Sequence, residues 1–109
     1  MEQVDVLLIE AMDEALSDLL GRKARDAVYD YLERNCRVAR NDIPSRLEDF
    51  FTLLDDLFGK GGSTIGRVIA KRLYFKMGWE FMDVHSYNLI DYVEAARSRF
   101  EREFAGHNL

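Results

Sequence analysis

Cysteine, histidine and proline are scarce in this chain. The only cysteine, Cys36, cannot form an internal disulfide, and a lone thiol points to a reducing, cytoplasmic compartment. The two histidines, His85 and His107, have no partner at a recognised metal-ligand spacing. Neither a metal site nor a cysteine–histidine nucleophile is therefore expected. No apolar run approaches the roughly 18 residues of a membrane span. The first such run, Val6 to Ile9, is preceded by Glu2 and Asp5 and not by a basic leader, so no signal peptide is expected. Alternation of apolar and polar residues over strand length is missing too, as are repeats and low-complexity tracts.

What is present is enough for one domain over 1–109. Hydrophobic residues make up 48% of the 109, which excludes disorder. A chain of this size can bury about 65% of its unfolded surface around one core. The net charge of −5 opposes nucleic acid unless a local basic face overrides it.

Helical periodicity accounts for nearly all of the chain, and an all-α domain of five helices is expected. The first, about Glu2 to Leu20, carries Val4, Leu8, Met12, Ala15, Leu16 and Leu19 on one stripe, widened by Leu7, Ile9 and Leu20. Its charges are six acids and no base. Gly21 is a natural stop. A second helix, Lys23 to Asn35, should fold back on the first with Ala24, Ala27, Val28, Tyr31 and Leu32 inward. Cys36 to Pro44 reads as a turn and extended loop anchored by Val38 and Ile43. Ser45-Arg46-Leu47-Glu48 matches a capping box. The helix after it, Leu47 to Phe58, has the clearest apolar pattern and is expected at the centre of the core. The fourth helix spans about Ser63 to Met77, capped by Ser63 or Thr64 and stopped by Gly78. The fifth runs from about Ser86 to Phe104, capped by Ser86 or Asp83, with Arg97–Glu101 and Arg99–Glu103 as exposed i,i+4 pairs. Residues 105–109 are expected to fray.

One stretch departs from an ordinary helical protein. From Gly59 to Trp79 there are five cations, Lys60, Arg67, Lys71, Arg72 and Lys76, and no acid. On a helix, Ile65, Ile69, Leu73 and Met77 form an inward stripe, with Gly66 and Ala70 beside it to admit a close neighbour. The opposite side carries two cationic rows, Arg67/Lys71 and Arg72/Lys76, with Val68 and Phe75 between them. An apolar pair flanked by four cations suits an anionic or mixed partner. The competing account is that the basic helix merely lies beside the acidic first helix and neutralises it.

Other candidate chemistry is weak. Gly59-Lys60-Gly61-Gly62-Ser63-Thr64 hints at a phosphate loop, but Lys60 comes too early and a helix, not a strand, precedes it. A glycine-rich turn between helices is the simpler reading. The paired acids Asp13-Glu14, Glu48-Asp49 and Asp55-Asp56 point about 100° apart on a helix, so none is a catalytic pair. No cofactor, metal or catalytic residue is expected.

The run Asp42-Ile43-Pro44, Phe50…Leu57-Phe58-Gly59…Gly62 and Ile65…Ile69…Leu73-Tyr74-Phe75-Lys76-Met77-Gly78 looks like a small archaeal helical domain. It resembles stand-alone archaeal proteins of unknown function and the Nitrosopumilus output domain of signalling chains. The likeness covers about Lys23 to Phe81, with a weaker echo at Tyr92-Val93. It implies an all-helical fold and a signalling or regulatory output role, and supplies no catalytic residues. Together these readings predict a non-enzymatic regulatory or scaffolding interaction module. Its partner surface is Arg67, Val68, Lys71, Arg72, Phe75 and Lys76, and its partner is a protein. The alternative is a nucleic-acid-binding transcriptional regulator using the same face. Thirteen aromatics and the broad apolar first helix also predict a homodimer.

Overall fold

Gly21 turns the chain at the end of its first helix by adopting φ 87°, a left-handed conformation that costs glycine little. The first helix, α1 (Gln3–Leu20), thereby passes to α2 (Arg22–Cys36) through a single residue. The computed structural model describes residues 2–107, with side chains as far as Phe104. A 3-10 helix (Arg40–Ser45), α3 (Leu47–Phe58), α4 (Lys60–Lys76) and α5 (Leu89–His107) complete the chain. Among the described residues there is no strand. The fold is all-α.

The apolar stripes read from the sequence face inward on α1, α3 and α4, but on α2 only Val28 and Leu32 are buried, while Ala24, Ala27 and Tyr31 are exposed because α2 packs mainly on α1 along a narrow seam. Val4, Leu8, Met12, Ala15 and Leu16 of α1 are fully buried, as are Phe50 and Leu54 of α3 and Ile69, Ala70 and Leu73 of α4. Val38 and Ile43 are fully buried and tie the α2–α3 connection to the core, as expected. Most of the thirteen aromatics also find cover within one copy of the chain. Only Phe75 and Phe104 are more than half exposed.

Four local expectations need correction. The capping box at Ser45 does not form. Pro44 sits inside the 3-10 helix, which carries Ser45 with it, so the Ser45 hydroxyl donates to the Asp42 carbonyl at 2.9 Å. Arg46 becomes the junction and donates to Asp49 at 2.8 Å. Second, α4 starts at Lys60, three residues early. The backbone reverses at Gly59 alone (φ 54°), and Gly61, Gly62, Ser63 and Thr64 are helical. Third, α5 starts at Leu89. Its cap is the reciprocal pair of Asn88 and Asp91: the Asp91 N–H donates to Asn88 Oδ1 at 3.0 Å, and the Asn88 N–H donates to Asp91 Oδ2 at 2.9 Å. This is capping-box logic with shorter side chains, and neither Ser86 nor Asp83 takes part. Helix α5 also continues through His107, where fraying was expected. Asn108 and Leu109 lie outside the described residues. Fourth, Arg99 pairs with Glu103 at 2.9 Å, but Arg97 turns away from Glu101. It bonds Asp5 of α1 at 2.9 Å and the Pro44 carbonyl at 2.6 Å, stitching three elements together.

The centre of the fold is the pair α1 and α4, not α3. Ion pairs Arg72–Asp18 and Lys76–Glu10 show that the two helices run antiparallel, since the later α4 residue meets the earlier α1 residue. Helix α4 also touches α3 and α5. Two of its glycines permit this. A Cβ on Gly62 would lie 2.6 Å from the Leu54 carbonyl oxygen of α3, and one on Gly66 would lie 3.3 Å from the Leu89 Cβ of α5. The helix pays about 0.5–1 kcal/mol for each glycine relative to alanine.

These distances decide the sign of two substitutions. Gly62→Ala gains helix propensity, but its methyl group meets backbone that no rotamer change can move. The expected net effect is a loss of about 1–3 kcal/mol, the usual cost of overpacking. Gly61→Ala meets only the Phe58 Cβ at an ordinary 3.5 Å, so it should be neutral or stabilising by up to about 1 kcal/mol. Paired urea melts check both outcomes.

Candidate functional site

Four of the five cations of α4, Arg67, Lys71, Arg72 and Lys76, separate into three fates. Arg72 and Lys76 point toward α1. Arg72 pairs with Asp18, and with Glu14 at 3.3 Å. Lys76 pairs with Glu14 at 2.5 Å and with Glu10 at 3.9 Å. The acids recur every fourth residue on α1, so one row of α1 faces one row of α4. The Lys76 hydrogen bond, aided by both cations, holds the Glu14 carboxyl below its ordinary pKa of 4.5.

Arg67 points the other way. Residues 78–88 form an irregular strap from α4 to α5, and the Arg67 guanidinium fastens it. It donates to Asp83 Oδ1 at 2.5 Å and to the carbonyls of Val84, His85 and Tyr87 at 3.3, 2.9 and 3.1 Å. It also reaches the Tyr92 hydroxyl at 3.3 Å. That hydroxyl in turn accepts the Val84 N–H at 2.7 Å. Trp79, Phe81 and Tyr87 of the strap and Tyr74 and Tyr92 of the helices beneath it form a chain of mostly edge-on ring contacts. Arg99 lies over the Trp79 ring at 4.3 Å, a cation–π contact.

Lys71 has neither fate. It is exposed and makes no ion pair among the described residues. Beside it Phe75 is 83% exposed, while Val68 is half-buried against the core. Val68, Lys71, Arg72, Phe75 and Lys76 line one open cleft of about 520 Å³, together with Glu14. Five of the six surface residues expected from the sequence thus come together, and Arg67 does not join them. Glu14 was not anticipated as a lining residue. Its one visible signal is the four-residue spacing of Glu10, Glu14 and Asp18, which matches the spacing of Arg72 and Lys76.

The remaining candidates contribute less. A larger hollow of about 780 Å³ lies between α1, the 3-10 helix, α3 and α5; half of its lining residues are acids, and Arg46 and Arg97 also line it. His85 is exposed in the strap and offers Arg67 only its carbonyl, and Cys36 is half-buried at the end of α2. Among the described residues no three histidine, cysteine, aspartate or glutamate side chains are placed to hold a metal ion. The glycine-rich segment is not a phosphate loop, because its residues belong to α4. No described helix is long and apolar enough to cross a membrane. Searches against known protein families, characterised proteins and solved structures yield no match.

A second polar group connects α1 to its other neighbours. Tyr29 of α2 donates to Asp13 Oδ1 at 2.7 Å, and Arg40 of the 3-10 helix pairs with the same carboxylate. Burial raises the Asp13 pKa, but the bonds from Arg40 and Tyr29 outweigh it and leave the carboxyl below its ordinary 3.8. Burial first, and then the bond to Asp13, push the Tyr29 phenol far above its ordinary 10.0. Tyr29 therefore stays a donor at any physiological pH.

Arg67 is expected to matter for stability more than any other cation of α4. Arg67→Ala should cost about 1.5–3 kcal/mol, the range for bonds to a charged donor. Arg67→Lys should recover less than half, since an ammonium cannot span the spread of acceptors. Lys71→Ala should stay within about 0.5 kcal/mol. Denaturant melts of the three variants check this order.

The two depressed carboxylates predict an acid limb. A lowered folded-state pKa contributes stability at neutral pH that is lost as pH falls through it. Thermal melts should therefore weaken from about pH 4 downward. Asp13→Asn should flatten that limb, whereas Glu14→Gln should change it little, because exposed pairs are screened.

Proposed function

We propose that this chain is a regulatory or scaffolding interaction module without catalytic activity, and that the exposed face of α4 meets a protein partner. The observation that carries this reading is Phe75. Its ring stands in water at the edge of a cleft whose other side chains are Val68, three cations and Glu14. Aromatic rings beside an arginine are the usual energetic centres of protein interfaces. The surrounding charges would set approach and orientation. The resemblance to the Nitrosopumilus output domain supports a signalling output role, and the lone thiol of Cys36 supports a cytoplasmic setting.

Nucleic-acid regulation through the same face draws less support. Arg67, Arg72 and Lys76 already have partners in the fold, and Glu10, Glu14 and Asp18 stand beside the cleft. Phosphates would meet one unpaired cation and a row of acids.

Two measurements test these readings. A photo-crosslinking residue at position 75, in native cells, is expected to give a discrete protein adduct that the same probe at Leu57 does not give. Leu57 is itself 45% exposed, so it controls for simple accessibility. Equal adducts at both positions, or none at 75, would defeat the interaction surface. Duplex DNA titrations should show a log–log salt slope no steeper than about −1, one cation's worth. A slope near −4 would restore the nucleic-acid reading.

A further inference from the structure

We infer that the α4 cleft takes an acidic amphipathic α-helix of another protein, laid along α4 as α1 already is. The inference rests on the preceding reading of this face as a partner surface and adds the partner's chemistry.

Helix α1 is the internal precedent. It brings acids at positions 10, 14 and 18, one per turn, onto Arg72 and Lys76. Val68, Lys71 and Phe75 occupy the neighbouring strip of α4 at i, i+3 and i+7. That spacing is what a helix lying in a groove contacts. The strip is open: Lys71 makes no ion pair among the described residues, and Phe75 is almost free of cover.

Charge then selects among occupants. In a two-fold dimer built on α4, Phe75 reaches Val68 of the other copy only if the axis passes between positions 71 and 72. Lys71 of one copy then faces Arg72 of the other, which places like charges at the centre of the interface. A basic partner meets the same repulsion from Lys71. An acidic helix avoids it, because its carboxylates can pair with Lys71 and share Arg72 with Glu14. The existing pairs of Arg72 and Lys76 weaken this attraction as they would for phosphates, so Lys71 supplies the one free charge on this strip, and Phe75 and Val68 add an apolar contact that a phosphate backbone does not use.

Glu14 has a defined part in this scheme. It lines the cleft and bonds both Arg72 and Lys76. It therefore competes with an incoming carboxylate for the same two cations, and lowers affinity for weakly acidic helices.

Fluorescence anisotropy on the full chain tests the inference with two synthetic helices of about sixteen residues, long enough for four turns. Both carry leucine and phenylalanine on one face. One has glutamate on the flanks, and the other has lysine there. The acidic peptide should bind and the basic one should not, with affinity falling as salt rises. Phe75→Ala should weaken the acidic peptide about tenfold or more, as expected for an interface centre, and Lys71→Glu should do likewise. Glu14→Gln should tighten it, and all three variants should keep the wild-type melt. No binding of the acidic peptide, equal binding of the basic one, or binding indifferent to Phe75→Ala would overturn the inference. Sedimentation separates that failure from failure of the underlying reading. A dimer lost on Phe75→Ala would sink the acidic helix yet keep the partner surface. If neither peptide, dimer nor position-75 crosslink responds, both fall.

Discussion

Antiparallel packing of α1 on α4 is the contact on which the other elements depend. Helix α1 reaches α2, the 3-10 helix and α5, α4 reaches α3 and α5, and the contact between these two helices is the most extensive in the fold. The contact is chiefly apolar. Leu8, Met12, Leu16, Ile69 and Leu73 are fully buried, and each such side chain contributes about 1.5–3 kcal/mol when taken out of water. The ion pairs along its margin contribute about 0–1 kcal/mol each. Burial therefore sets where the two helices lie, and the charges adjust the edge.

The same comparison explains why Arg67 differs from its neighbours. Arg72 and Lys76 meet flexible carboxylates on a helix that is already in place. Arg67 meets backbone carbonyls of a strap that has no helical or sheet bonding of its own. Backbone acceptors near a core need partners, and a planar guanidinium can serve several at once. One cation of the basic helix is thus part of the fold. The strap it fastens packs its Trp79 and Phe81 on Tyr74 and Tyr92 and leaves the Phe75 side of α4 uncovered.

An acidic helix beside a basic one leaves an uneven surface. Neutralisation is nearly complete on the α1 side of α4 and on the strap side, and it stops at Lys71. The bare strip between them combines one cation, one aromatic ring and one aliphatic side chain. Such a mixture favours a protein partner over a polyanion, because a polyanion gains from the number of free cations and a protein gains from a desolvated aromatic centre.

The helical fold and most of its buried face were legible in the sequence, because the apolar residues recur with the helical period in nearly every segment. Gly21 and Gly59 marked two of the turns for the same local reason: left-handed backbone favours glycine. Helix starts were less legible. Ser45 has the right neighbours for a cap, but the 3-10 helix through Pro44 takes its hydroxyl. Asn88 and Asp91 form a cap from a less familiar pair. The basic strip was visible by composition, and five of its six residues do share a cleft. Which cations remain unpaired was not visible, since the pairing of Arg72 and Lys76 depends on residues 54 to 62 positions away in the chain. Local periodicity determined the helices and, α2 apart, the inward face of each. Only the tertiary packing decided that α1 and α4 lie at the centre, that Arg67 belongs to the strap, and that Lys71 and Phe75 are left to meet something else.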